Sequence, residues 1–251
     1  ERMKSSFLSV VSHELRTPVT ILRSYIDTLY SFGQKFSYDE QKEFIGTINQ
    51  EIVRLNKMVN DILDFSKLQA NTKCEKAVQN ITNVIEKTLG NIKILADEKN
   101  IKFSVIKEEN LPEIPFNEES IERVLTNLIT NAIKHSNDNS RIKISAEISS
   151  KPGFIEVTVQ DYGCGIASEH LEKIFDRFYR VENDTHTIKG TGLGLHLVKV
   201  SIEKQHKGEV FVHSEVGIGS IFGFRLPLCL SQEDQDLQQI QTDSELEVEN
   251  G

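Results

Sequence analysis

No stretch of the 251 residues approaches the ~20 consecutive apolar positions that cross a bilayer, and no signal peptide opens the chain. Cysteine is scarce. Cys74, Cys164 and Cys229 lie far apart, form no metal-ligand spacing and cannot all pair, which suits a reducing compartment. Internal repeats are absent. A basic surface is also lacking: residues 231–251 hold seven Asp/Glu and no Lys/Arg, so the net charge of −9 falls to −2 without them. A nearly neutral body gives no electrostatic case for nucleic-acid binding. The same tail has no aromatic residue and is rich in Gln, so it is expected to be disordered. The opening "ERMKSSFL" reads as the interior of a longer protein, and an upstream region is expected.

What is present divides into two periodicities. Leu8, Val11, Leu15, Pro18, Leu22, Tyr25, Leu29 and Phe32 recur in alternating steps of three and four, a heptad seam. Ile45, Ile48, Ile52, Leu55, Val59 and Ile62 repeat the pattern. Gly33 and the polar residues between them turn the chain, so two long helices form an antiparallel hairpin. Val10, Ile21 and Ile26 widen the first stripe beyond what one partner helix can cover. Pairing two hairpins into a dimeric four-helix bundle solves this, and a homodimer is expected. Packing of the hairpin on the rest of its own chain is the alternative.

After Leu68 the pattern changes. "ITNVIEKTLGNIKILADEKN", residues 118–136 and "LGLHLVKVSIEKQH" read as helices. "IKFSVIKE", "RIKISAEIS", "FIEVTVQD", "EVFVHSE" and "GSIFGFRLP" read as strands. Strands in hairpin order with helices grouped together predict an α+β sandwich, one sheet covered by helices on one face. The expected organisation is a helical domain at 1–70, a polar linker at 71–80, a second domain at 81–230 and the acidic tail.

"SHELRTPV", residues 12–19, is unusual for a helix because it carries an ionisable pair and a proline. At ~100° per residue His13 falls about 200° from Val11, off the seam and among Ser6, Ser9, Arg16, Thr17 and Thr20. A solvated surface histidine would look the same. Glu14, however, can accept the Nδ1 proton and leave Nε2 as a nucleophile. Thr17, one turn on, shares the His13 face and can orient a water there. Pro18 removes a backbone hydrogen bond beside the pair, which suggests a bend.

Three segments of the second domain suit a nucleotide. Asn127, Asn131 and Lys134 recur on one helical face, and two amide oxygens with an ammonium suit Mg²⁺-bound phosphates. Asp161 ends a strand before Gly163 and Gly165, where a carboxylate can accept from an exocyclic amine such as adenine's. An ordinary Asp-Gly turn is the plainer reading. In "KGTGLGLHLV" glycines precede a helix whose N–H groups can hold phosphate. The segment is neither a P-loop nor a clean Rossmann fingerprint.

Taken in order, "FLSVVSHELRTP", "NLITNAIKHS", "DYGCGI", "IFDRFYRV" and "GTGLGL" resemble the H, N, G1, F and G2 boxes of two-component sensor histidine kinases. "DILDFSKLQA" resembles the end of that family's second helix, and "GIGSIFGFRLP" its last glycine-containing hairpin. The likeness covers about residues 2–228. It implies a dimerisation and phosphotransfer bundle followed by a Bergerat-type ATP-binding fold. His13 is then the phosphoryl acceptor, Glu14 its base, and Thr17 assists dephosphorylation of the partner. Asn131 ligates Mg²⁺, with Asn127 and Lys134 near the phosphates. Asp161 takes the adenine amine, within a turn formed by Gly163, Gly165 and Ile166, and Ser220 lies near the base. Gly190, Thr191, Gly192, Leu193, Gly194 and Leu195 line the phosphate side. Phe175 and Phe178 anchor an ATP lid over about 176–192, from which Arg180 reaches the γ-phosphate; two core aromatics and a surface Arg are the plainer reading.

The same resemblance supplies ATP and Mg²⁺ as ligands and the receiver domain of a response regulator as partner. It places the chain in the cytoplasm, with a membrane tether through the upstream region left open. Related ATPases carry a water-activating Glu four residues before the Mg²⁺-binding Asn; here Asn127 stands there and cannot act as a general base. His135 occupies a position where many members have Tyr, and Cys164 inside the adenine turn reads as small filler. An ATP-binding scaffold and a protein whose net output is phosphatase are the rival functions.

Overall fold

The structure, a computed structural model, describes residues 2–69, 74–181 and 192–229, without the side chains of 2–10, 13 and 67–69. The expected tail, Gly190, Thr191 and most of the expected lid therefore lie outside the described residues. The chain divides into two compact units, Glu1–Asn71 and Thr72–Gly251. No helix among the described residues is long and apolar enough to cross a membrane.

The first unit is the predicted hairpin. Helix α1 (Arg2–Phe32) continues through Pro18 and leads, by a 3₁₀ turn at Gly33–Lys35, into α2 (Tyr38–Gln69). At ~1.5 Å per residue each is about 46–48 Å long. A capping box starts α2. The backbone N–H and Oγ of Ser37 both donate to Glu40 Oε2, at 2.7 and 2.8 Å, and the Glu40 N–H donates back to Ser37 Oγ at 3.3 Å. Gln41 Nε2 ties the turn by donating to the carbonyls of Gly33 and Phe36 at 2.9 and 3.1 Å. Phe44 meets Tyr25 and Phe36 edge-on, with centroids 5.4 and 5.0 Å apart.

On α1 the expected seam holds: Pro18 is buried, and Val11, Leu15, Leu22, Tyr25 and Leu29 are half-buried beside it. Phe32 is the exception, half exposed at the helix end. On α2 the expected seam splits. Ile48, Leu55 and Ile62 turn inward together with Phe44, Glu51, Met58, Asp61 and Phe65. Ile45, Ile52 and Val59 stay outside, 58%, 43% and 42% exposed. The apolar count merged two faces, because the true hairpin row includes carboxylates that hydropathy skips. Buried Glu51 is admissible because Arg54 pairs with it at 3.3 Å.

The second unit is built on a mixed sheet of order β2-β4-β5-β7-β6. Its strands are β2 (Lys102–Lys107), β4 (Arg141–Ile148), β5 (Phe154–Asp161), β6 (Glu209–Glu215) and β7 (Gly219–Pro227). Among the described residues only the β2–β4 pairing of this sheet is parallel, and the chain between these strands supplies the crossover with α4 (Glu118–His135). A two-stranded sheet, β1 (Ala77–Gln79) with β3 (Ile114–Phe116), lies apart from it. β1 falls within the stretch read as linker, where three residues are too few to show a period.

Helices α3 (Ile81–Glu98) and α4 cover one face, burying Ile81, Ile85, Ile121, Leu125, Leu128 and Ile129 against Ile142, Ile144, Val157 and Phe224. Asn80 and Asn117 cap their N-termini by accepting the Thr82 and Ser120 N–H groups at 2.8 and 2.9 Å. The opposite face is polar. Arg225 there joins Glu156 at 2.7 Å and Glu209 at 3.4 Å and stacks over Phe211. The predicted single-faced sandwich is thus what the chain forms, with two short helices besides: α5 (Ser168–Leu171), which the sequence did not announce, and α6 (Gly194–Lys199), continued by a π-turn at Val200–Gln205.

Candidate functional site

Strand parity places the first group. Along β5 every second residue faces the helices: Ile155, Val157, Val159 and then Asp161. A carboxylate thus continues an apolar row and is 4% exposed. Its Oδ1 accepts the N–H of Gly163 at 2.9 Å and of Ser220 at 3.3 Å. Burial raises the Asp161 pKa above the ordinary carboxylate value, opposed by these two bonds. Ser220 Oγ is 2.9 Å from Ser214 Oγ, and Ser214 accepts the Ile166 N–H at 2.8 Å. Asp161, Gly163, Ile166 and Ser220 are therefore linked in one hydrogen-bonded cluster through Ser214, which was not foreseen.

Two glycines in the turn are there for closeness. A Cβ on Gly163 would lie 2.0 Å from the His135 carbonyl, so the turn presses on the end of α4. Gly165 has φ +68, and a Cβ there would lie 2.0 Å from the Glu215 carbonyl. Gly165→Ala combines a left-handed backbone with a backbone clash and is expected to cost about 3 kcal/mol or more. Thermal unfolding measures this, and an unchanged midpoint would contradict the packing described.

Helix α4 presents the second group. Asn127, Asn131 and Lys134 are half-buried, beside a fully buried row of Val124, Leu125, Leu128, Ile129 and Ala132. A Cβ on Gly194, the first residue of α6, would lie 3.0 Å from Asn127 Oδ1, so the glycine segment abuts this face. Lys134 also lines a shallow hollow with Leu95, Lys99 and Ile133. Lys99 Nζ caps the helix by donating to the carbonyls of Ile133, Lys134 and Ser136 at 3.0–3.2 Å. His135 ends α4 and is exposed. The protein around it, with the ammonium groups of Lys134 and Lys99, pushes its imidazole down to about 4. The ring is neutral at physiological pH.

Around the glycine segment, Phe175 is buried edge-on to Phe222, with centroids 6.4 Å apart. Phe178 donates its N–H to the Gly192 carbonyl at 3.0 Å. Leu193 is buried, Leu195 packs partly on the core, and Arg180 is exposed.

The remaining residues belong to the first unit. His13 lies on α1, its side chain outside the description, and Thr17 is exposed one turn on. Glu14 is part-buried and faces Arg54 of α2 at 4.0 Å. Arg54 was not foreseen. Only a stripe of Glu51 and Arg54 three residues apart could have signalled it.

Two family models match the chain: the His Kinase A (phospho-acceptor) domain over residues 3–71, and the histidine kinase-, DNA gyrase B- and HSP90-like ATPase over residues 116–230. Drug sensory protein A of Synechocystis is 40% identical over 236 residues, covering 91% of this chain and 35% of that protein. Among solved structures, histidine kinase ThkA in complex with response regulator protein TrrA aligns with TM-score 0.73 and 26% identity, over 89% of this chain and 61% of that one. Acinetobacter baumannii histidine kinase AdeS aligns with TM-score 0.68 and 26% identity, over 86% and 98%. The chain spans 35–36% of the length of the first curated relatives it matches.

Proposed function

We infer the reaction from one premise: this chain belongs to the two-component sensor histidine kinases, whose phospho-acceptor and ATP-binding domains it carries in that order. The reaction is ATP-dependent phosphorylation of His13, followed by transfer of the phosphoryl group to an aspartate of a response regulator's receiver domain. On this reading residues 1–70 hold the acceptor, residues 81–230 hold ATP, and 71–80 join them.

The observation that carries the reading is Asp161, a carboxylate placed by strand parity on a buried face and fixed by two backbone N–H groups. Fixed that way, it has lone pairs left for the exocyclic amine of adenine, which selects the base. Gly163 and Gly165 keep that turn free of side chains, and neutral His135 beside it adds no charge. Asn131, with Asn127 one turn before, would hold Mg²⁺. Half-buried carboxamide oxygens are hard donors, and no cluster of three or more His, Cys, Asp or Glu suited to a metal occurs among the described residues. Such a set fits an ion that takes the rest of its shell from phosphate and water, and whose charge offsets that of the triphosphate.

His13 Nε2 attacks the γ-phosphorus, the bond to the bridging oxygen breaks, and ADP leaves while Glu14 holds the Nδ1 proton. Asn127 offers water no general base, so hydrolysis is slow and the phosphoryl group waits for the imidazole. Incubation with γ-labelled ATP tests this. Acid-labile, base-stable label that chases onto a receiver domain supports it, whereas ATP binding without label supports a scaffold.

The outward stripe of Ile45, Ile52 and Val59 on α2, with Val19 and Ile26 on α1, supports a homodimer through a four-helix bundle. Ile52→Glu would place a charge in that seam. The variant is expected to sediment as a monomer, and a dimer of wild-type stability would exclude this face. Thr17, exposed one turn after His13, supports dephosphorylation of the receiver by the same surface. A receiver partner places this reaction in the cytoplasm. ThkA was solved with a response regulator, and the proposal for this chain follows that precedent.

A further inference from the structure

His196, to which the sequence analysis gives no role, joins three segments. Its Nδ1 lies 3.1 Å from the Phe175 carbonyl and therefore carries the proton. Nε2 is left as an acceptor, and Arg177 Nε–H donates to it at 3.0 Å. The turn so held is strained: Phe178 has φ 62, left-handed for a residue with a bulky side chain. Gly192 closes on it from the other side, where a Cβ would lie 2.8 Å from Phe178 Cα. Two residues before His196, Gly194 touches Asn127. One short stretch thus links the turn at Phe175–Phe178 to the asparagine face of α4.

We propose that His196 is a positioning residue for ATP binding: its two hydrogen bonds hold the strained turn against α6, in register with Asn127. The proposal rests on the ATP-dependent kinase reading. Protonation would turn Nε2 into a donor facing another donor, and the turn would be released. Charged groups near the ring among the described residues include Arg177 and Asp176 from the turn and Lys199 from α6. Burial pushes the imidazole below the ordinary histidine range against the pull of the Phe175 carbonyl, and Arg177 and Lys199 add to the drop. The bond therefore survives at neutral pH and is lost on acidification.

Initial rates of autophosphorylation of the full chain, measured against ATP concentration from about pH 5.5 to about 8, test this. His196→Phe is expected to raise the KM for ATP about tenfold and leave kcat within about twofold, because uniform binding is lost. His196→Gln keeps an acceptor that does not titrate, and is expected to restore KM and remove the part of the acidic limb that His196 contributes. Arg177→Met, which leaves the ring in place, should reproduce the rise in KM. The proposal is overturned if His196→Phe matches wild type in KM and acidic limb. It is equally overturned if Phe and Gln variants lose melting temperature and activity together, the behaviour of a packing residue. A wild type that takes up no label fails the kinase reading instead, a result distinct from variants that match an active wild type.

Discussion

His13→Gln is expected to take up no phosphoryl group from ATP while binding ATP as tightly as the wild type. The loss should be at least about a thousandfold, because a carboxamide nitrogen has no lone pair available for attack. Binding should persist because the residues assigned to ATP belong to the other compact unit, from Asn127 to Ser220. The label on wild type should be acid-labile and base-stable, as a phosphorus–nitrogen bond is and a serine phosphate is not. Equal labelling of the variant would remove His13 from the reaction. Loss of ATP binding along with the label would show instead that the variant had misfolded.

Glu14→Gln separates the base from the nucleophile. A positioned general base contributes ~10²–10⁴-fold, so labelling should slow by about a hundredfold yet still reach His13. The Glu14 carboxylate does not hang free on α1. Arg54 on α2 lies 4.0 Å from it and is itself anchored by Glu51 at 3.3 Å. The hairpin therefore does more than present a helix: its second helix sets a cation beside the base.

How far the sequence could be read depended on whether a feature was local. The α1 seam was legible because Leu15, Leu22 and Leu29 recur at heptad spacing and are half-buried alike. The α2 seam was misread because Glu51 and Asp61 are buried in it, and apolar counting shifted onto the outward row of Ile45, Ile52 and Val59. Asp161 stood out at a strand end before two glycines, while its place on the buried face emerged from the structure. Ser214, Lys99 and Arg54 did not stand out. Each acts through a partner distant in sequence, as when Ser214 accepts from Ile166 or Lys99 reaches three carbonyls at the end of α4. Their chemistry exists only once strands and helices have been brought together.

Asp161→Asn should abolish useful ATP binding without weakening the fold. The isosteric amide keeps one oxygen that can go on accepting the Gly163 and Ser220 N–H groups. Its nitrogen, however, turns a donor toward the adenine amine, itself a donor. Losing a charge-assisted hydrogen bond and leaving a buried donor unpaired costs roughly 3 kcal/mol, about a hundredfold or more in Kd. The sign for stability is the opposite. Burial raises the Asp161 pKa above its unfolded value, so the contribution of this group to stability is present at low pH and lost as pH rises through the folded value. At neutral pH the ionised carboxylate is a cost, and the amide removes it. The variant should thus melt no lower than wild type, and calorimetry with and without ATP would report both effects in one experiment. Protonation of Asp161 should add its own fall in wild-type affinity on acidification, a component that His196→Gln keeps and Asp161→Asn lacks. A variant that melts early yet binds ATP normally would reverse the assignment, making Asp161 a structural anchor and leaving selection of the base to other groups.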